Sequence, residues 1–79
     1  MSKLPLCSSA EVIRVLSRNG FVRARAKKGS HQAYKKQDSA RQRTVVVIQG
    51  RKEIGRKTLE RIIERAGKSE DEFLTVLRS

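Results

Sequence analysis

The chain has 79 residues, 37% of them hydrophobic, with 19 Lys/Arg against 8 Asp/Glu and a net charge of +11. This length accommodates one domain, expected over residues 1–79 with its core in 8–77, and the apolar share is too large for a disordered basic tail. No apolar run approaches the ~20 residues that span a bilayer, and Met1-Ser2-Lys3-Leu4-Pro5-Leu6 lacks the apolar stretch of a signal peptide, so a cytoplasmic protein with no membrane association is expected.

Cys7 has no second cysteine to pair with and reads as a reduced thiol without special chemistry. Ser8-Ser9-Ala10-Glu11 has the spacing of a capping box, with Ser8 as N-cap. The apolar stripe Val12, Ile13 and Leu16 follows, and Asn19-Gly20 supplies a left-handed stop, so a helix is predicted over 9–19. From Phe21 the period becomes two: Val22, Ala24 and Ala26 alternate with Arg23 and Arg25, a half-buried strand with one basic face. Lys27-Lys28-Gly29-Ser30 reads as a turn, His31 to Lys36 as a second strand, and Gln37 to Ala40 as a loop. Arg43 to Ile48 contains a β-branched run, Val45-Val46-Val47-Ile48, that suits a central strand buried on both faces.

Arg56 and Lys57 open a helix whose Leu59, Ile62, Ile63 and Ala66 fall at i, i+3, i+4 and i+7, ending at Gly67. Ser69-Glu70-Asp71-Glu72 has the spacing of a second capping box and starts a short terminal helix with Phe73, Leu74 and Leu77 inward. The predicted class is α+β: an α-β-β-β-α domain with a three-stranded antiparallel sheet, helices on one face and a short C-terminal helix.

The charge is concentrated in the middle of the chain. Residues 21–58 hold twelve Lys/Arg against two acids, whereas 59–79 hold four against five. Such a segment attracts a polyanion, nucleic acid first. Cations at the start of a helix oppose the macrodipole, so Arg56 and Lys57 point to a phosphate held there. His31, the lone histidine, exchanges protons near neutral pH and lies in this segment, after Gly29, which lets backbone approach a ligand, and the hydroxyl of Ser30. Arg23, Arg25, Lys27, Lys28 and Lys35 surround it in sequence, and Tyr34 is placed to pack in the core or to stack on a base. No His, Cys or carboxylate cluster has metal-ligand spacing, no cofactor is implied, and no phosphate-cradling Gly-rich loop occurs. In RNA the 2′-hydroxyl is itself a nucleophile, so one imidazole and positive charge suffice for acid–base work on the phosphodiester. A non-catalytic RNA-binding module of the same plan fits the same residues; a DNA-binding helix-turn-helix lacks its paired helices and short Gly-containing turn.

Gly20-Phe21, Arg25, Gly29-Ser30-His31 with Tyr34, Val45-Val46-Val47, the run Thr58 to Gly67 and Glu72-Phe73-Leu74 together resemble the HicA (YcfA-like) toxins. The similarity extends over about residues 8–77. It implies a fold like that of double-stranded-RNA-binding domains and metal-independent cleavage of mRNA by an endoribonuclease toxin of a type II toxin–antitoxin system. It also implies His31 as the catalytic residue and a HicB-like antitoxin as the protein partner that occludes it.

Overall fold

The computed structural model describes residues 4–79, apart from the side chains of Ala26 and Lys27. Met1, Ser2 and Lys3 of the expected domain lie outside the described residues, as do those two side chains, one expected in the core and one at the site. The elements run α1 (Ser9–Arg18), β1 (Val22–Lys28), β2 (His31–Asp38), β3 (Arg41–Ile48), α2 (Arg56–Arg65) and α3 (Glu70–Arg78). The class is α+β, with a three-stranded antiparallel sheet in the order β1-β2-β3.

Both predicted capping boxes form. The Ser8 hydroxyl accepts from the Glu11 N–H at 3.2 Å, and the Ser8 N–H donates to the Glu11 carboxylate at 2.9 Å. Ser69 and Glu72 repeat the exchange at 3.1 and 2.9 Å. Each satisfies donors that a helix start leaves without partners. At the end of α1 the Phe21 N–H bonds Leu16 O and the Gly20 N–H bonds Ser17 O, while Gly20 takes φ +90. This paired closure turns the chain directly into β1 with Phe21 buried behind it.

The core lies on one face of the sheet. Val45 and Val47 are fully buried and Tyr34 is 4% exposed; they pack with Val12, Val15 and Leu16 of α1, Leu59, Ile62 and Ile63 of α2, and Phe73 and Leu74 of α3. Val46, between the two buried valines, is 49% exposed on the opposite face. β3 is therefore neither central nor buried on both sides, as its β-branched run suggested. It is an edge strand with strict alternation, and β2 occupies the centre. A β-branched run satisfies strand propensity on either kind of surface, which is why composition misplaced it.

The first strand also departs from its expected pattern. Val22 is 68% exposed, on the face away from the helices. Arg23 pairs with Tyr34 but Lys27 pairs with Gln32, so β1 carries two extra residues between these points. Gln32, 3% exposed, holds the irregular stretch by donating from Nε2 to Ala24 O at 2.6 Å. The expected turn at 27–30 shrinks to Gly29-Ser30, and the expected loop at 37–40 to Ser39-Ala40, because the strands continue to Lys28 and Asp38.

The connection from β3 to α2 is tied back to the amino-terminal segment. The Ile54 N–H donates to Cys7 O at 2.7 Å, and Ser9, 3% exposed, bonds both flanks of the connection: its hydroxyl donates to Ile48 O and accepts from the Arg51 N–H. Burial pushes the Cys7 thiol up, with the Glu11 carboxylate adding to the shift, so this sulfur is an unreactive core group.

Candidate functional site

The turn Gly29-Ser30 sets the position of His31. Lys28 and His31 pair directly across a two-residue hairpin in which Gly29 takes φ +58. Positive φ at the first central position alone is the pattern of a type II′ turn, whose twist matches that of the flanking strands. His31 thus stands at the first position of β2, between Lys28 on one side and Ile48 on the other. The Gln49 N–H donates to Ser30 O at 2.8 Å, which makes 30/49 a hydrogen-bonded pair and 31/48 the closer, non-hydrogen-bonded kind.

The register decides which face His31 takes. His31, Ala33 and Lys35 oppose Ile48, Val46 and Thr44, while Gln32 and Tyr34 oppose the buried Val47 and Val45. His31 is therefore exposed on the sheet face that the helices leave uncovered, with Lys28 exposed and Lys35 half-buried on the same face. Ser30 is exposed in the turn beside it.

The remaining sequence-selected residues divide. Arg23 and Arg25 are exposed on β1, but Arg23 pairs with Tyr34 and so belongs to the other face. Lys27 takes the β1 position opposite Gln32. Tyr34 lies in the hydrophobic core and has no ring face free for a base, a correction to the stacking role considered for it. Its position in a strand permitted either face, and only the pairing with Val45 settles it. Arg56 and Lys57 are exposed on the first turn of α2, whose N-cap Gly55 offers no side-chain hydrogen bond and whose first turn holds no acid.

A groove between β3 and α2 reaches His31. One part, about 460 Å³, is lined by His31, Thr44, Val46 and Ile48 from the sheet and by Thr58, Arg61 and Arg65 from α2. A second part, about 740 Å³, is lined by Arg41, Arg43 and Thr44 on the sheet side and by Lys57, Glu60, Arg61, Glu64 and Arg65 on the helix. The parts share Thr44, Arg61 and Arg65. Arg41, Arg61 and Arg65 were not among the residues selected from sequence. The four-residue spacing Lys57, Arg61, Arg65 was the available signal, hidden by the near-neutral total of the C-terminal segment.

Among the described residues no group of three or more His, Cys, Asp or Glu is placed to hold a metal ion, and no helix is long and apolar enough to cross a membrane. Arg43 and Asp38 form the sole ion pair among the described residues, Nε to Oδ2 at 2.8 Å. The Arg43 hydrogen bond, then the Ser39 N–H, hold the Asp38 carboxyl below the usual carboxylate range.

No curated protein resembles the chain closely enough to count as a match. Residues 9–68, which include α1, the whole sheet and α2, match the family described as the HicA toxin of bacterial toxin–antitoxin systems. With that match over most of its length, the chain belongs to the HicA toxin family.

Proposed function

We propose that the protein is a metal-independent endoribonuclease that cleaves mRNA in the cytoplasm, with His31 as its catalytic residue and a HicB-like antitoxin as its protein partner. The observation that carries this reading is the setting of His31: exposed at the end of a hairpin, directly opposite Lys28, and opening into a groove lined by arginines.

In this mechanism the RNA 2′-hydroxyl attacks the adjacent phosphorus as His31 takes its proton. The 2′-O–P bond forms, the P–O5′ bond breaks, and the leaving oxygen takes a proton from water. The products are a 2′,3′-cyclic phosphate and a 5′-hydroxyl. Positive charge at Lys28, Lys35 and the groove stabilises the charge that accumulates on the phosphate oxygens. Ser30 and the β1 positions Arg25 and Lys27 hold the flanking backbone. Arg56 and Lys57, with the open N–H groups at the start of α2, hold a neighbouring phosphate. An antitoxin that covers the open face of the sheet blocks His31 and the cations at once.

The test is His31→Ala in purified protein. The variant is expected to keep its thermal unfolding midpoint and its RNA affinity while cleavage falls by about 10²–10⁴-fold, the usual share of acid–base catalysis. A substrate with 2′-deoxyribose at the cut site is expected to resist the wild type. Cleavage at the wild-type rate by His31→Ala overturns the assignment. RNA binding without cleavage by the wild type identifies a binding module instead.

A further inference from the structure

The helix face that lines the groove is more cationic than its surroundings in sequence suggest. Lys57, Arg61 and Arg65 lie at i, i+4 and i+8 of α2, so they form one stripe with about 6 Å of rise between neighbours. All three are exposed, and none joins an ion pair among the described residues, although Glu60 and Glu64 line the same groove. The three cations outnumber the two acids on this wall, and none pairs with them, whereas surface charges kept for solubility commonly pair.

The facing wall is the free edge of the sheet. Because 30/49 is a hydrogen-bonded pair, alternation along the ladder turns the N–H and C=O of Thr44 and Val46 away from β2 and toward the open side. Ile48 follows the same rule: its outward carbonyl is the one that Ser9 binds. Arg41 stands at the far end of the groove and His31 at the near end. An unpaired strand edge beside a row of cations offers backbone donors and charge to one extended polyanion.

We infer that the groove between β3 and α2 is the path of the substrate RNA on one side of the cut, a single strand whose successive phosphates meet Arg61, Arg65 and Lys57. The inference rests on the reading of the chain as an RNA-cleaving toxin and adds Arg61 and Arg65, which lie outside the basic central segment, to the residues that position the substrate. Arg61 and Arg65 are then positioning residues, since the reacting atoms are at His31.

The experiment measures binding of a fluorescein-labelled single-stranded RNA oligonucleotide to His31→Ala protein, which keeps cleavage out of the readout. Arg61→Gln/Arg65→Gln in that background is expected to shrink the slope of log K against log[salt] by about 1.4, since each phosphate of a single strand left without its cation accounts for about 0.7. Arg61→Lys/Arg65→Lys is expected to restore most of the slope. Arg14→Gln/Arg18→Gln, the same charge change on α1, whose arginines bond the carboxyl-terminal residues, is expected to leave it within about 0.3 of the parent, under half the share of one phosphate. Circular dichroism confirms that each variant is folded. An unchanged slope in the Gln pair overturns the inference. An equal drop in the α1 control also overturns it, because net charge alone then explains the effect. Failure of the two readings is separable: wild-type cleavage with an unchanged slope removes only the groove, and a reduced slope without wild-type cleavage removes only the catalytic role.

Discussion

At Gly67 the backbone takes φ +73, and a Cβ built there would meet the Arg43 guanidinium carbon at 2.5 Å. Two constraints therefore coincide. The residue closes α2 with the Gly67 N–H on Glu64 O and the Lys68 N–H on Ile63 O, and it lies under the side chain that binds Asp38. Gly67→Ala is expected to cost the roughly 1 kcal/mol of a left-handed alanine, as at the open Gly50, plus up to about 1 kcal/mol where the displaced Arg43 side chain gives up its partly exposed pair with Asp38. Equilibrium urea unfolding of Gly67→Ala and Gly50→Ala checks the difference, and equal losses would remove the proximity of Arg43 as a factor. The same scale shows what single residues reveal in advance. His31 was legible because it is unique and follows Gly29-Ser30, a turn that physics restricts to few geometries. Tyr34 was not, because a tyrosine on a strand suits a core or a binding face equally until its cross-strand partner is known.

Among the elements, the helix starts were readable and the strand environments were not. Capping depends on side chains three residues apart, so Ser8-Glu11 and Ser69-Glu72 announce themselves locally. Strand order depends on residues far apart in the chain, and the run Val45 to Ile48 carried no sign that β3 would be an edge. Ser9 illustrates the same limit. Adjacent to a conventional cap, it is the residue that joins α1 to both ends of the β3–α2 connection, over sequence separations of 39 and 42. Removing its hydroxyl leaves a partly buried carbonyl and N–H without that partner, at a cost of about 1–3 kcal/mol. Ser9→Ala is accordingly expected to destabilise by about 2 kcal/mol and Ser8→Ala by about 1 kcal/mol, measured by chemical denaturation. A Ser9→Ala loss smaller than that of Ser8→Ala would show that water replaces the missing bonds.

For the whole molecule, a net charge of +11 makes the few carboxylates matter at low pH. Asp38 is held low first by its bond from Arg43, and Glu72 first by the Ser69 N–H. Both folded-state values lie below the unfolded ones, so their stabilisation is complete above the ordinary carboxylate range near 4 and is lost as pH falls through the lowered values. The unfolding midpoint is expected to fall with acidification below about pH 4, and Asp38→Asn to flatten that fall. Thermal scans of both proteins from neutral pH downward decide it; parallel curves would show that the pair contributes nothing. Sequence alone determined the helix ends, the hairpin that presents His31 and the excess of positive charge, since each follows from residues that are neighbours in the chain or from composition. Only the tertiary structure decided that His31 stands on the uncovered face, that Tyr34 belongs to the core, and that Arg61 and Arg65 share a groove with the histidine. Strand register and helix docking set those relations, and both depend on contacts between residues distant in sequence, where local propensity carries no information.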